Sequence, residues 1–230
     1  MEPDDAIVIL LGAGAGRRLG AAEPKVLLPI GGRPMLAITA GAAAVSAPVR
    51  GLVVTFPAGW QGRARACVDD LGVPVRLVEG GGSRQASVRA ALAEIPETAG
   101  IVAVHDAARP FAPPDLFARV LEDVKEGADG AVPVLPVTDT VLRIRGALVE
   151  GAEPREELAL GQTPQAFRTS VLREAHAKAE AAGASFTDDA SILRWAGFDV
   201  HAVPGDPANV KITTLADLAE AERRMGGGGG

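Results

Sequence analysis

The stretch AIVILLGAGAGRRLG, residues 6–20, runs a short apolar, β-branched segment straight into a glycine-rich loop carrying two arginines. A strand that opens onto such a loop suggests a nucleotide site, and the spacing decides which kind. A dinucleotide fingerprint, G-x-G-x-x-G, counted from Gly12 needs glycine at position 17, where Arg17 stands. Counted from Gly14, its third place is Leu19. The acidic residue that would grip a ribose is also missing, since the next apolar run ends in VVTFPAGW (53–60). A Walker A loop would need lysine followed by serine or threonine, but Lys25 sits between Pro24 and Val26. Both patterns are excluded. What remains is Gly12, Gly14 and Gly16 interleaved with Ala13 and Ala15, a backbone able to approach a ligand closely and turn its N–H groups toward an anion. Arg17, Arg18 and Lys25 add three cations, with VLLPI (26–30) as an apolar anchor for the lysine stem. Triphosphate is the natural ligand of such a loop.

AIVILL (6–11), GLVVTF (51–56), VRLVE (75–79) and IVAVHD (101–106) read as buried strands. Between them, PMLAITAGAAAV, GWQGRARACVDDLG and SRQASVRAALAEI carry apolar residues at helical spacing. Pro34 suits a first helical turn and Ser83 an N-cap. Alternation of this kind predicts an α/β fold, a mainly parallel sheet flanked by helices on both faces. Ligands in such sheets sit beyond the carboxyl ends of the strands, which gathers the glycine loop, GGGS (80–83), HDAARP (105–110) and the turn after Val134 on one edge. Past residue 130 the pattern changes to a β-arm turning at Gly146, spanning about 137–158. Helices at SVLREAHAKAEAAG and DDASILRWAG, a strand at FDVHAVPG and a last helix capped by Thr214 complete the chain. Residues 1–225 read as one domain including the arm, and 226–230 as a flexible glycine tail.

A length of 230 residues with 47% hydrophobic and 23% charged residues is that of a folded protein with a substantial core. The net charge of −6 argues against a nucleic-acid surface, so an anion site must be a local basic cluster. A lone Cys67 excludes an internal disulfide and a cysteine-built zinc site, and fits a reducing, cytoplasmic setting. The first residues carry acids where a signal peptide carries bases, and their apolar run is too short to span a membrane.

Each remaining motif has a bland reading. EGGGSRQASV (79–88) could read a base edge through the backbone near Gly82 and the Ser87 hydroxyl, or be a glycine turn before a capped helix with Arg84 and Arg89 in solvent. HDAARPF (105–111) ends a strand at Asp106 beside two small alanines, where a carboxylate could take Mg²⁺ or a substrate hydroxyl, or could cap a turn and pair with Arg109. His105, His176 and His201 show no metal-cage spacing, and His105 reads as structural. Downstream, Thr140 and Arg155 lie in the arm, Thr163 in QTPQAF, and Lys211 in NVKIT, which reads as a short strand.

Taken together, these motifs resemble the 2-C-methyl-D-erythritol 4-phosphate cytidylyltransferase family. The resemblance runs in order through GAGAGRRLG, PKVLLPIGGRPML, VEGGGSRQASV, VHDAARPF, PVTDTV, QTPQAFR, FTDDASIL and NVKIT. It implies a Rossmann-like nucleotidyltransferase fold and a homodimer whose arms interlock. It further implies a CTP triphosphate wrapped by residues 12–16, with Arg18, Lys25 and Lys211 as the catalytic cations. Gly82 and Ser87 would read cytosine, and Asp106 would hold the polyol phosphate near a Mg²⁺ carried mainly by the CTP phosphates. Thr140 and Arg155 from a partner's arm, with Thr163 and Lys211, would hold the substrate phosphate; Arg109 matches a family position. Leu11 and Gly12 stand where the family usually has proline and alanine, and Thr138 where a basic residue is common. Two other readings stay open: a ribitol-5-phosphate cytidylyltransferase, set apart by details such as the second alanine of HDAARP, and a nucleotide-binding regulatory module without turnover.

Overall fold

The computed structural model describes residues 5–14 and 23–226. The opening apolar run forms β1 (Ala6–Leu11). Its side chains alternate between two buried faces, as a period of two requires. Ala6, Val8 and Leu10 enter one core, and Ile7 and Ile9 the other. A hairpin of β2 (Pro29–Ile30) and β3 (Arg33–Pro34) then leads into α1 (Met35–Ala44). Pro34, expected in the first helical turn, is instead the N-cap, because its ψ of 137° is still extended.

From there strand and helix alternate: β4 (Val49–Phe56), α2 (Gln61–Ala66), β5 (Val75–Glu79), α3 (Arg84–Ala93), β6 (Ile101–Asp106), α4 (Pro114–Lys125) and β7 (Gly130–Pro136). Ser83 caps α3 as expected, its hydroxyl accepting the amide of Ala86 at 3.0 Å. The arm is an antiparallel pair, β8 (Leu142–Arg145) and β9 (Leu148–Ala152), joined across Gly146 at φ +60°. After it come β10 (Ala159–Gly161), β11 (Gln165–Arg168), α5 (Thr169–Ala181), α6 (Asp189–Ala196), β12 (Val200–Pro204) and α7 (Leu215–Gly226). Thr214 caps the last helix through the amide of Asp217.

Among the described residues the main sheet has eight strands, ordered β10-β7-β11-β6-β1-β4-β5, with β12 beside β7. The pairs β1–β4, β1–β6, β4–β5 and β7–β12 are parallel. Strand β11 runs antiparallel between β6 and β7, and β10 antiparallel along β7. Helices α1, α2 and α4 pack on one face, where Leu36, Phe117 and Leu121 meet the inward residues of β1 and β6. Helices α3, α5 and α6 pack on the other, contributing Val88, Leu172 and Ile192. Burial on both faces explains the continuous apolar runs. No helix among the described residues is long and apolar enough to cross a membrane.

Candidate active site

Because β1, β4, β5 and β6 are parallel, their carboxyl ends open on one edge of the sheet, and a cleft of about 460 Å³ lies there. It is lined by Leu11 at the end of β1 and by Ala13 and Gly14 just beyond it, from the turn before α3 by Gly81, Gly82 and Ser83, and by Lys25, Arg84, Ser87, Asp106 and Lys211. Segments distant in sequence thus meet on the edge where a doubly wound sheet places its ligand. Ala15, Gly16 and Arg18, expected at the triphosphate, lie outside the described residues.

The two glycine segments are fitted to each other. A Cβ on Gly80 would stand 2.1 Å from that of Ala13, so only glycine lets the two loops approach this closely. Gly12 has a different task from the anion contact expected of it. Its amide donates to the carbonyl and hydroxyl oxygens of Thr55, at 3.0 and 3.1 Å, which ties the end of β1 to β4. Ser87 is nearly buried and donates its hydroxyl to the carbonyl of Ser83 at 2.9 Å, holding the glycine turn against α3. Lys25 opens a single 3₁₀ turn, Lys25–Leu27, whose Val26 and Leu27 are buried and anchor the stem. Its ammonium donates to the carbonyl of Ile212 at 3.2 Å.

Asp106 ends β6 and is 8% exposed. Its Oδ2 pairs with Lys211 at 2.6 Å, and its Oδ1 lies 3.7 Å from Arg84. Burial pushes this carboxyl up, but the Lys211 and Arg84 charges outweigh it and hold it at about 2. The backbone beneath is clamped from behind: the Thr163 hydroxyl accepts the amide of Asp106 at 3.1 Å and meets His105 Nδ1 at 2.9 Å. His105 Nε2 lies 3.3 Å from the carbonyl of Arg109, which can only accept. The network therefore assigns the ring hydrogen to Nε2 and leaves Nδ1 to accept from Thr163. Burial lowers His105 to about 4, so the ring is neutral at ordinary pH.

Lys211 was expected on a short strand but lies in irregular chain between β12 and α7. Isolated bonds to distant carbonyls replace a ladder here. Buried Asn209 donates to the carbonyl of Thr163 at 2.8 Å, and Ile212 donates its amide to the carbonyl of Ala108. Asp217 accepts from the amides of Thr213 and Thr214 and from the Thr213 hydroxyl, which lowers its carboxyl to about 2. Arg109 does not line the cleft. Its Nη1 donates to the carbonyl of Asn209 at 2.7 Å, so it braces the Lys211 segment. Thr140 and Arg155 do not line the cleft either; Arg155 donates to the carbonyl of Thr138 inside the arm.

Arg84 corrects the reading that left it in solvent. It stands in the cleft wall, its Nη1 2.7 Å from Oδ2 of the fully buried Asp189. Burial lowers its pKa, but the Asp189 and Asp106 charges outweigh that and raise it. Asp189 in turn has its own pKa raised by burial and lowered further by Arg84 and His176, ending below the usual carboxylate range. Helical spacing was the available signal: Asp189, Ile192, Leu193 and Ala196 share one face, as do Leu172, Ala175, His176 and Ala179. A charged or polar residue on an apolar stripe marks a buried polar contact.

Among the described residues no three His, Cys, Asp or Glu side chains could together hold a metal ion. Among the described residues the cleft offers one carboxylate, already paired with Lys211. Such a lining fits a divalent cation carried in by a ligand's phosphates better than a cage of protein ligands, with Asp106 the one carboxylate among the described residues beside it.

The family profile of IspD, 2-C-methyl-D-erythritol 4-phosphate cytidylyltransferase, matches residues 6–226. The chain is 42% identical over 223 residues to the 2-C-methyl-D-erythritol 4-phosphate cytidylyltransferase of Nocardia farcinica, covering 96% of this chain and 94% of that protein. It is also 42% identical to the bifunctional enzyme IspD/IspF of Nitratidesulfovibrio vulgaris, with 92% of this chain covered; the chain spans 56% of that relative's length. The solved 2-C-methyl-D-erythritol 4-phosphate cytidylyltransferase of Thermus thermophilus superposes with a TM-score of 0.79 at 37% identity, covering 98% of this chain and 99% of the other. A cleft walled by two glycine loops, an aspartate–lysine pair across it and this likeness along nearly its whole length have one common explanation: the chain belongs to the 2-C-methyl-D-erythritol 4-phosphate cytidylyltransferase family.

Proposed function

We propose that the chain transfers the cytidylyl group of CTP to 2-C-methyl-D-erythritol 4-phosphate in the cleft at the carboxyl edge of its sheet. A phosphate oxygen of the polyol phosphate attacks the α-phosphorus of CTP in line, the bond to the β-phosphate oxygen breaks, and pyrophosphate leaves. A phosphate monoester is a competent nucleophile at neutral pH, so the reaction needs alignment and charge stabilisation more than a base. The observation that carries the reading is the Lys211–Asp106 pair at 2.6 Å facing the glycine segments and Lys25 across one cleft. Here Ala13 and Gly14 approach the triphosphate, and Lys25, Lys211 and Arg18 neutralise charge on the α-phosphoryl group. Gly82 and Ser87 meet the cytosine, and Asp106 accepts polyol hydroxyls. Thr163 serves through the amide of Asp106, which its hydroxyl already holds.

Mg²⁺ would be held by CTP oxygens with Asp106 beside it, and would neutralise negative charge between the two anions. The arm supports a homodimer. Leu148 is 72% exposed, and Ile144 and Val149 also stand in solvent, an apolar surface that a second arm would cover. Thr140 and Arg155 would then reach the partner's substrate phosphate, and the cytoplasm, where CTP is available, is the setting. Pyrophosphate release with CTP and Mg²⁺ tests the reading. Release with methylerythritol 4-phosphate and not with ribitol 5-phosphate is expected. The opposite selectivity would move the protein to the ribitol-phosphate activity, and CTP binding without release would favour a regulatory module.

A further inference from the structure

Behind the cleft wall a chain of polar groups crosses the core between α3, α5 and α6. Asp189 is 0% exposed and His176 1% exposed, and His176 Nε2 lies 2.9 Å from Asp189 Oδ1. The other carboxylate oxygen, Oδ2, takes Arg84 Nη1 at 2.7 Å. One carboxylate is thus held by two donors from two helices, one per oxygen. Arg84 Nη2 is buried with no hydrogen-bond partner among the described residues, and Arg84, its side chain 24% exposed, lines the cleft with Gly81, Gly82 and Ser83. The Asp189 carboxylate accepts, so the ring hydrogen bonded to it is on Nε2, while His176 Nδ1 meets no partner among the described residues.

We infer that His176 is a positioning residue for CTP: by donating to Oδ1 of Asp189 it sets the plane of the carboxylate that holds Arg84 at the nucleotide side of the cleft. This rests on the reading of the cleft as the CTP site. Its neighbours along α5, Leu172, Ala175 and Ala179, are buried and apolar, so packing alone does not call for a histidine there. Without its donor, Oδ1 is left bare in an apolar surround, and a guanidinium satisfies both oxygens of a carboxylate when it turns to a two-pronged pairing. Arg84 is then drawn toward Asp189, and its weaker approach to Asp106, at 3.7 Å, opens. The cleft loses a cation aimed at the nucleotide while Lys25 and Lys211 stay in place.

The test compares the full chain with His176→Leu, His176→Asn and His176→Gln, following pyrophosphate release over a range of CTP concentrations. A glutamine amide nitrogen falls near the position of Nε2, whereas that of asparagine falls near Nδ1 and stops short of Asp189. The leucine and asparagine variants should raise KM for CTP about five- to tenfold, the scale of one hydrogen bond, with kcat within about twofold, and glutamine should restore most of the loss. In an Arg84→Met background, His176→Leu should add nothing further. An unchanged KM in both variants, a loss confined to kcat, or full additivity with Arg84→Met would each overturn the inference. If the leucine variant does not fold, the asparagine–glutamine contrast decides alone. A wild-type chain that releases no pyrophosphate would instead overturn the reading of the cleft.

Discussion

At the scale of single residues, the site is a set of charges held by neighbours such as Thr163, Asp189 and Ile212 that do not line the cleft. Lys25 stands on a 3₁₀ turn whose Val26 and Leu27 are buried, so removing its ammonium leaves the anchor intact. Lys25→Ala should therefore lower kcat by at least ~10²-fold with an unchanged unfolding midpoint, the usual scale for losing one contact to developing charge. Pyrophosphate release beside a thermal melt checks both halves, and near-wild-type turnover would remove Lys25 from the catalytic group. Asp106 carries a sign of its own. Its pKa is depressed to about 2, so the pairing with Lys211 and Arg84 is complete above the ordinary carboxylate range and is lost only as pH falls through about 2. An acid limb of activity at pH 5 to 6 should thus survive Asp106→Asn in whatever rate remains, because it belongs to another group, such as the substrate phosphate. A limb that disappears with the variant would contradict that assignment.

At the scale of elements, the arm differs in kind from the rest. Strands β8 and β9 are exposed along their whole length, and their ion pairs, Arg143–Glu153 and Arg145–Glu150, are largely in solvent. Exposed pairs contribute little, so the arm would gain from a surface that covers it. If that surface is a second copy, Arg155 serves the neighbour's cleft. Mixing Arg155→Ala and Lys25→Ala subunits, each inactive alone, should then restore activity up to about one quarter of wild type, since one heterodimer cleft keeps both residues. No recovery after exchange, with dimers verified by sedimentation, would place Arg155 in its own subunit's chemistry or outside it.

At the scale of the whole molecule, stability and the site share groups in the middle of the sheet. His105 is fully buried, edge-on to Phe117 with ring centroids 4.9 Å apart, and lowered to about 4 by burial. A histidine whose folded pKa lies below its unfolded value stabilises fully above the unfolded pKa and loses that contribution as pH falls toward the folded one. Between pH 6.5 and 4 it should remove about 3 kcal/mol of stability. Urea midpoints at pH 7 and pH 4.5 should drop further in wild type than in His105→Gln, and parallel slopes would contradict the buried neutral ring. Much of this molecule was legible from residue order alone. The runs at 6–11 and 101–106 are strands over those same residues, because a strand buried on both faces must be apolar throughout and so announces its ends; VRLVE at 75–79, expected to be buried, is instead a half-exposed strand at the end of the sheet order, which is why it tolerates Arg76 and Glu79. Ser83 and Thr214 announced helix starts through local bonds, and Gly146 its turn. Other features needed the tertiary structure. QTPQAF shows no sign of being the antiparallel strand between β6 and β7, since four residues carry no period. NVKIT looks β-branched but is held by Asn209 and Ile212 reaching to distant carbonyls. The ligand of Arg84 lies 105 residues away, on a helix that only the packed core brings behind it. Local chemistry and periodicity determine elements and the edge where their loops gather; which charge meets which partner is decided by long-range packing, because the partners share no neighbourhood in the chain.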